Sequence, residues 1–311
     1  MTIGGDAPVS IQSMTNTRTA DVEATVGQVR DLADAGAELI RVAAASREDT
    51  SALPSIVAAS PVPIVADVHF HFDRALEAIR AGVAKVRLNP GNIQDRDQVR
   101  RVIAAADEAG TAIRVGVNEG SVVDRRDARR RAAERARPLD ELMVEKLAEY
   151  LEVFEEACFG RLVLSAKSHD AYTCIAVNRA IAERWDYPLH LGVTHAGTAS
   201  TGAIRSAAAI GALLAEGIGE TIRISYAGDP VEEVRAGWEL LASLRLRNRR
   251  GIDLVACPTC GRAQVDVADV AERVRRALEG VEAPLTVAVM GCVVNGPGEE
   301  IGRASCRERV C

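Results

Sequence analysis

Short runs of β-branched residues alternate along this chain with longer, alanine-rich stretches whose apolar positions recur at helical spacing. The strand-like runs are Val9–Met14, Leu39–Val42, Ile64–Val68, Lys85–Leu88, Ile113–Val117, Leu162–Ala166, Leu189–Val193 and Thr221–Ser225. Between them the spacing predicts amphipathic helices, among them Asp21–Ala35, Arg74–Ala81, Arg96–Ala109, Leu139–Ala157 and Thr201–Glu216. Gly36, Gly82, Gly110 and Gly217 fall just past helix ends, where a left-handed cap is wanted. Eight strands, each followed by a helix, predict a (β/α)8 TIM barrel. A doubly wound open sheet would need a glycine fingerprint after its first strand, and none is present.

Around Arg245–Asp253 the composition turns arginine-rich and polar. Beyond it the pattern gives a strand at Leu254–Ala256, a helix at Val267–Leu278 and a strand at Leu285–Val289. A barrel over 1–248 and a small second domain over 249–299 are therefore expected. Residues 300–311 have neither periodicity nor a core pattern. They look like the translation of a sequencing-adapter read-through, so they are expected to be a non-native tail, the natural chain continuing past Glu299.

Composition narrows the class. Apolar residues make up 48% and charged residues 26%, as in ordinary globular proteins. With aromatics at 3% and a net charge of −6, neither base stacking nor phosphate-backbone attraction is provided for, and no nucleic-acid partner is expected. No apolar run approaches the roughly 20 residues of a membrane span, so no membrane partner is expected. Seven cysteines without secretory features imply a reducing, cytoplasmic compartment and metal or catalytic use.

In a barrel of this kind chemistry sits where the strands end. Those ends carry Gln12 and Ser13, Arg41, Asp67 and His69, Arg87 and Asn89, Arg114 and Asn118, Lys167 and Ser168, His190 and Thr194, and Arg223 and Ser225. Four arginines and a lysine at one structural level suit a multiply charged phosphate ester, a diphosphate being the natural guess. His69, with Asp67 as its carboxylate partner, is expected to donate to substrate or transfer a proton, and His71 to lie on the surface. Cys158 and Cys174 are expected to be buried inert thiols on helices. The run Arg125–Arg131, interleaved with acids, reads as a solvated segment.

The cysteines Cys257-Pro-Thr-Cys260 and Met290-Gly-Cys292, with Glu299 seven positions on, are soft ligands for zinc or an iron–sulfur cluster. No histidine follows His195, so three thiolates and one oxygen point to a cubane with one weakly held iron.

These motifs together resemble the bacterial 4-hydroxy-3-methylbut-2-enyl diphosphate synthase family. They are Val9-Ser-Ile-Gln12-Ser-Met-Thr-Asn-Thr17, Val65-Ala-Asp67-Val-His69-Phe, Arg87-Leu-Asn89-Pro-Gly-Asn92-Ile, Arg114-Val-Gly-Val-Asn118, His190-Leu-Gly-Val-Thr194, Glu216-Gly-Ile-Gly-Glu-Thr-Ile-Arg223-Ile-Ser225, Asp229-Pro-Val-Glu-Glu-Val and the cysteine set. The resemblance implies a barrel joined to a ferredoxin-like domain, with a [4Fe-4S] cluster on Cys257, Cys260, Cys292 and Glu299. It implies a substrate, 2-C-methyl-D-erythritol 2,4-cyclodiphosphate, opened and reductively dehydrated in the methylerythritol phosphate route to isoprenoids. Flavodoxin or ferredoxin would donate two electrons, and a head-to-tail homodimer would face each barrel with the partner's cluster domain. Arg41, Arg87, Asn89, Arg114, Asn118, Lys167, His190, Arg223 and Ser225 would grip the substrate. Asp67, His69 and His195 would be catalytic. His195 stands where the family has glutamate (Thr194-His195-Ala196-Gly197), and the start is shorter than the family pattern. A diphosphate-binding protein without turnover is the alternative.

Overall fold

The computed structural model describes residues 1–69, 71–93, 95–122, 137–281, 283, 285–292 and 294. The chain divides into two compact units, Met1–Arg247 and Asn248–Cys311.

In the first unit eight parallel strands form one sheet: β1 (Ser10–Met14), β2 (Leu39–Ala44), β3 (Ile64–Val68), β4 (Lys85–Leu88), β5 (Ala112–Asn118), β6 (Leu162–Lys167), β7 (His190–Leu191) and β8 (Thr221–Ile222). Its order is β6-β5-β4-β3-β2-β1-β8-β7. A parallel bridge between Leu164 and Leu189, with the Leu164 amide donating to the Pro188 carbonyl at 2.8 Å, joins the outer strands and closes the barrel. The last two strands are shorter than their β-branched runs predict, because the chain turns out of the ladder at Gly192 and Arg223.

Helices cover the outside: α1 (Val22–Asp34), α2 (Arg47–Ala59), α3 (Phe72–Arg80), α4 (Arg96–Ala109), α5 (Glu119–Val122), α6 (Leu139–Glu156), α7 (Ala171–Arg184), α8 (Ala199–Ala215) and α9 (Pro230–Ser243). Their starts follow ordinary capping chemistry: Asp21, Asp95, Asp170 and Asp229 accept first-turn amides, and Ser46 with Asp49 makes a capping box. Gly36, Gly82, Gly110 and Gly217 all have positive φ, between 71° and 105°, at helix ends. Strand β3 stops at Val68, and His71, expected on the surface, precedes α3 as an exposed N-cap. One expectation fails here. Cys158 is not buried; it lies beyond α6 with φ 52° and is exposed, whereas Cys174 is fully buried.

The core lies between barrel and helices. Val86, Leu88, Ile113, Val115, Leu162, Leu164 and Ala166 are all buried. Their neighbours in the alternation point the other way, into the lumen, and those are largely polar. Barrels of this class usually fill the lumen with branched aliphatic layers; this one fills it with charge.

In the second unit β9 (Asp253–Ala256) pairs in parallel with β10 (Thr286–Val289), and α10 (Val267–Ala277) connects them. Asp266 caps α10 by accepting from Ala268 and Asp269. The run Arg125–Arg131, Glu299 and the tail 300–311 lie outside the described residues.

A cationic barrel lumen as candidate functional site

Six basic side chains share the lumen: Arg41, Lys85, Arg87, Arg114, Lys167 and Arg223. The acids set among them are Asp67 and Glu233. Asp67 takes Arg87 at 3.3 Å, Arg41 at 3.7 Å and His69 at 3.4 Å. Burial alone would raise its carboxyl pKa, but Arg41, His69 and Arg87 hold it far below the usual carboxylate range. Glu233, from α9, pairs with Arg223 at 3.3 Å and accepts from the Tyr226 amide at 2.9 Å.

The floor is Arg114, fully buried, which donates across the lumen from β5 to the Gln12 amide oxygen on β1 at 3.2 Å. Burial first, then Arg41 and Arg87, push its pKa well below normal. Behind Lys167 stands His190. Its Nε2 lies 3.2 Å from the Lys167 ammonium nitrogen and its Nδ1 2.5 Å from Thr221 Oγ1. Expected among the substrate donors, His190 has no exposure and both ring nitrogens engaged, so it reaches a ligand only through Lys167.

Of the other expected residues, Asn89 is buried at the end of β4 and accepts from the Gly91 amide at 3.0 Å. Asn118 ends β5, where its backbone is held by Ser121. Ser225 donates to the Val193 carbonyl at 3.1 Å. His69 keeps about a third of its side chain exposed. His195 sits in the loop after β7, exposed and with φ 51°.

Charges of one sign crowd together only where something of the other sign completes them. Gln12 Nε2, Arg114 Nε, Arg223 Nε and Lys85 Nζ are buried donors with no hydrogen-bond partner among the described residues. Each such orphan costs about 1–3 kcal/mol. Donors without acceptors, inside a ring of cations, have the chemistry to suit an anion with many oxygens.

Lys85 and Glu233 were not among the expected site residues, although both left signals. Lys85 alternates with Arg87 in Lys85-Val-Arg87, which puts both on one face of β4; Glu233 lies one turn into the helix begun by Asp229-Pro230. Burial and Arg114 lower the Lys85 pKa to about 7. Its unfolded value is about 10.4, so ammonium burial opposes folding most at pH 7 and below, and the penalty fades as pH rises toward 10.4. Lys85→Met should therefore stabilise the fold by ~1–3 kcal/mol at pH 6 and by almost nothing at pH 10. Urea unfolding at both pH values checks this; a gain independent of pH would refute it.

In the second unit Cys257 follows β9 and Cys292 follows β10, so parallel pairing brings them to one end of the sheet. The Cys257 amide donates to the Val289 carbonyl at 2.9 Å, and Gln264 to Gly291 at 2.8 Å, tying the loop of Cys260 to the same end. The Cys260 thiol pKa is lowered, chiefly by the Arg262 backbone amide, which favours the thiolate that binds metal. Among the described residues no three ligand side chains close into a finished metal set. The donor set nevertheless fits a soft metal or cluster: three half-buried or exposed thiols on loops at one sheet end.

Fold and site together define a (β/α)8-barrel protein with a cationic lumen, carrying a second unit with three thiols grouped at one sheet end. The chain belongs to the GcpE family: residues 1–238 match the GcpE TIM-barrel domain and 253–305 the GcpE protein C-terminal domain. It is 50% identical over 298 residues to a protein of Salinispora arenicola named 4-hydroxy-3-methylbut-2-en-1-yl diphosphate synthase (flavodoxin), covering 96% of this chain and 75% of that one. The Geobacter sulfurreducens protein of the same name is 48% identical over 297 residues, covering 96% and 82%. Among solved structures, dihydropteroate synthase of Yersinia pestis superposes with a TM-score of 0.53 at 14% identity, over 76% of this chain and 93% of that one. That likeness concerns the barrel fold alone.

Proposed function

We propose that this chain is a 4-hydroxy-3-methylbut-2-enyl diphosphate synthase acting on 2-C-methyl-D-erythritol 2,4-cyclodiphosphate. The observation that carries the reading is the lumen, with six basic side chains, two acids and orphaned buried donors, in a chain half identical to enzymes of that name. Two electrons and two protons enter, the carbon–oxygen bond to the ring phosphate breaks, and one oxygen leaves as water.

Arg41, Arg87, Arg114, Lys167 and Arg223 would neutralise the diphosphate, with Asn89, Asn118 and Ser225 placing its remaining oxygens. His69, held by Asp67, has the exposure to pass a proton to substrate. His195 is the second proton-transfer candidate, provided its loop brings it over the bound ligand. Cys257, Cys260, Cys292 and Glu299 would hold a [4Fe-4S] cluster, which supplies the electrons when bound. Flavodoxin, named in the relatives, is the donor class favoured, and a head-to-tail homodimer would give each barrel the partner's cysteine unit.

The test is anaerobic assay of the reconstituted full chain with the cyclic diphosphate and reduced flavodoxin, product followed by mass spectrometry. Formation of the linear enyl diphosphate supports the reading. Tight binding without turnover under strong reductant would replace it with a diphosphate-binding role.

A further inference from the structure

The second buried lysine of the lumen is built differently from the first. Lys85 has no hydrogen-bond partner among the described residues, whereas Lys167 is seated on a hydrogen-bonded chain that runs from its Nζ through His190 to Thr221. All three are buried. The seat is made by Gly192: a Cβ there would fall 2.6 Å from Lys167 Nζ and 2.8 Å from the Arg223 carbonyl oxygen. Any other residue would displace the ammonium from His190.

This chain can be satisfied in two protonation states. With Lys167 charged, Nζ donates to Nε2, the imidazole carries its proton on Nδ1, and Nδ1 donates to Thr221. With Lys167 neutral, Nε2–H donates to the amine, and the Thr221 hydroxyl donates to Nδ1. Neither state leaves a ring nitrogen unpaired, so the lysine changes charge without the burial penalty that an orphan would impose.

The surroundings favour such a change. Arg114 on β5, Arg41 on β2 and Arg223 just after β8 face Lys167, and Lys85 on β4 faces His190; Glu233 on α9 and the Cys174 thiol on α7 are the counterweights. Burial, then these cations, lowers the proton affinity of both Lys167 and His190 in the ligand-free protein. A dianionic ligand entering the lumen reverses the sign of the local field.

We propose that His190 is a positioning residue that holds Lys167 ready to take one proton from solvent as a diphosphate binds, so that Lys167 meets the ligand as an ammonium. The inference deepens the function proposed above, since it assumes an anionic ligand in this lumen, but it does not require turnover.

Titration calorimetry of the full chain with the cyclic diphosphate at pH 8, in two buffers of different ionisation enthalpy, measures the linked proton. Uptake of roughly one proton is expected for the unaltered protein. In His190→Gln the chain loses the ring whose two tautomers satisfy both charge states of Lys167, and uptake should fall to less than half while binding persists. In Lys167→Met both uptake and affinity should fall. Nitrogen-15 NMR of the unaltered protein reads the same event without mutation: the His190 proton should move from Nε2 to Nδ1 on binding. Unchanged uptake in both variants, or one His190 tautomer throughout, overturns the proposal. If the cyclic diphosphate does not bind at all, the functional reading fails instead. Inorganic diphosphate then serves as the probe, and uptake with it that depends on His190 supports the pair on its own.

Discussion

Arg114→Met should lower kcat/KM for the cyclic diphosphate by about a thousandfold while raising the stability of the ligand-free protein. The two effects share one cause. Arg114 is fully buried, makes one side-chain hydrogen bond among the described residues, to Gln12, and faces Arg41, Arg87, Lys85, Lys167 and Arg223. Without a ligand it is a desolvated charge among like charges, and replacing such a group by an apolar one of similar volume is commonly neutral or stabilising, by ~1–3 kcal/mol here. With a diphosphate bound, the same charge becomes a buried partner of phosphate oxygens. Truncating one member of such a pair costs about 2–5 kcal/mol. Thermal melting of the two ligand-free proteins, paired with steady-state kinetics, separates these terms. A variant that is both less stable and fully active would show that Arg114 is a structural prop with no part in binding.

Cys292→Ser should abolish activity and cluster content together. Cys292 and Cys257 sit on loops after paired parallel strands, so one serine removes a thiolate from a set of three cysteines. Serine oxygen is a harder and poorer ligand for iron. After anaerobic reconstitution the unaltered protein should hold about four iron and four acid-labile sulfide per chain, as a cubane requires. The variant should hold little of either, with the barrel's diphosphate affinity unchanged, since the two units are separately compact. Zinc in place of iron in the unaltered protein would instead make the cysteines a structural site.

The lumen and the cysteine loops differ in how their residues speak through the sequence. Arg87, Arg114 and Arg223 each lie within a strand-like run, so their place on the barrel wall was readable from the β/α alternation. The cysteines were readable from spacing, because a Cys-X-X-Cys turn and a third cysteine after a strand say nothing else as well. Lys85 was missed because it begins its strand, where barrels place structural rather than functional groups. His190 was legible as a site residue but not in its role. Only the packing of β6 beside β7 shows that its ring is spent on Lys167 and Thr221.

By itself the sequence determined the order of strands and helices, the division near residue 248, and the residue types available for chemistry. These depend on local periodicity, capping and spacing, which act over a few residues. Tertiary structure alone decided which side of each strand met solvent. Alternating polar and apolar positions ordinarily mark a half-exposed strand. Here closure of β6 on β7 turned the polar side inward, away from water. A set of arginines and lysines that would be innocuous on a surface thereby became a desolvated field, a property of the closed barrel rather than of any single residue.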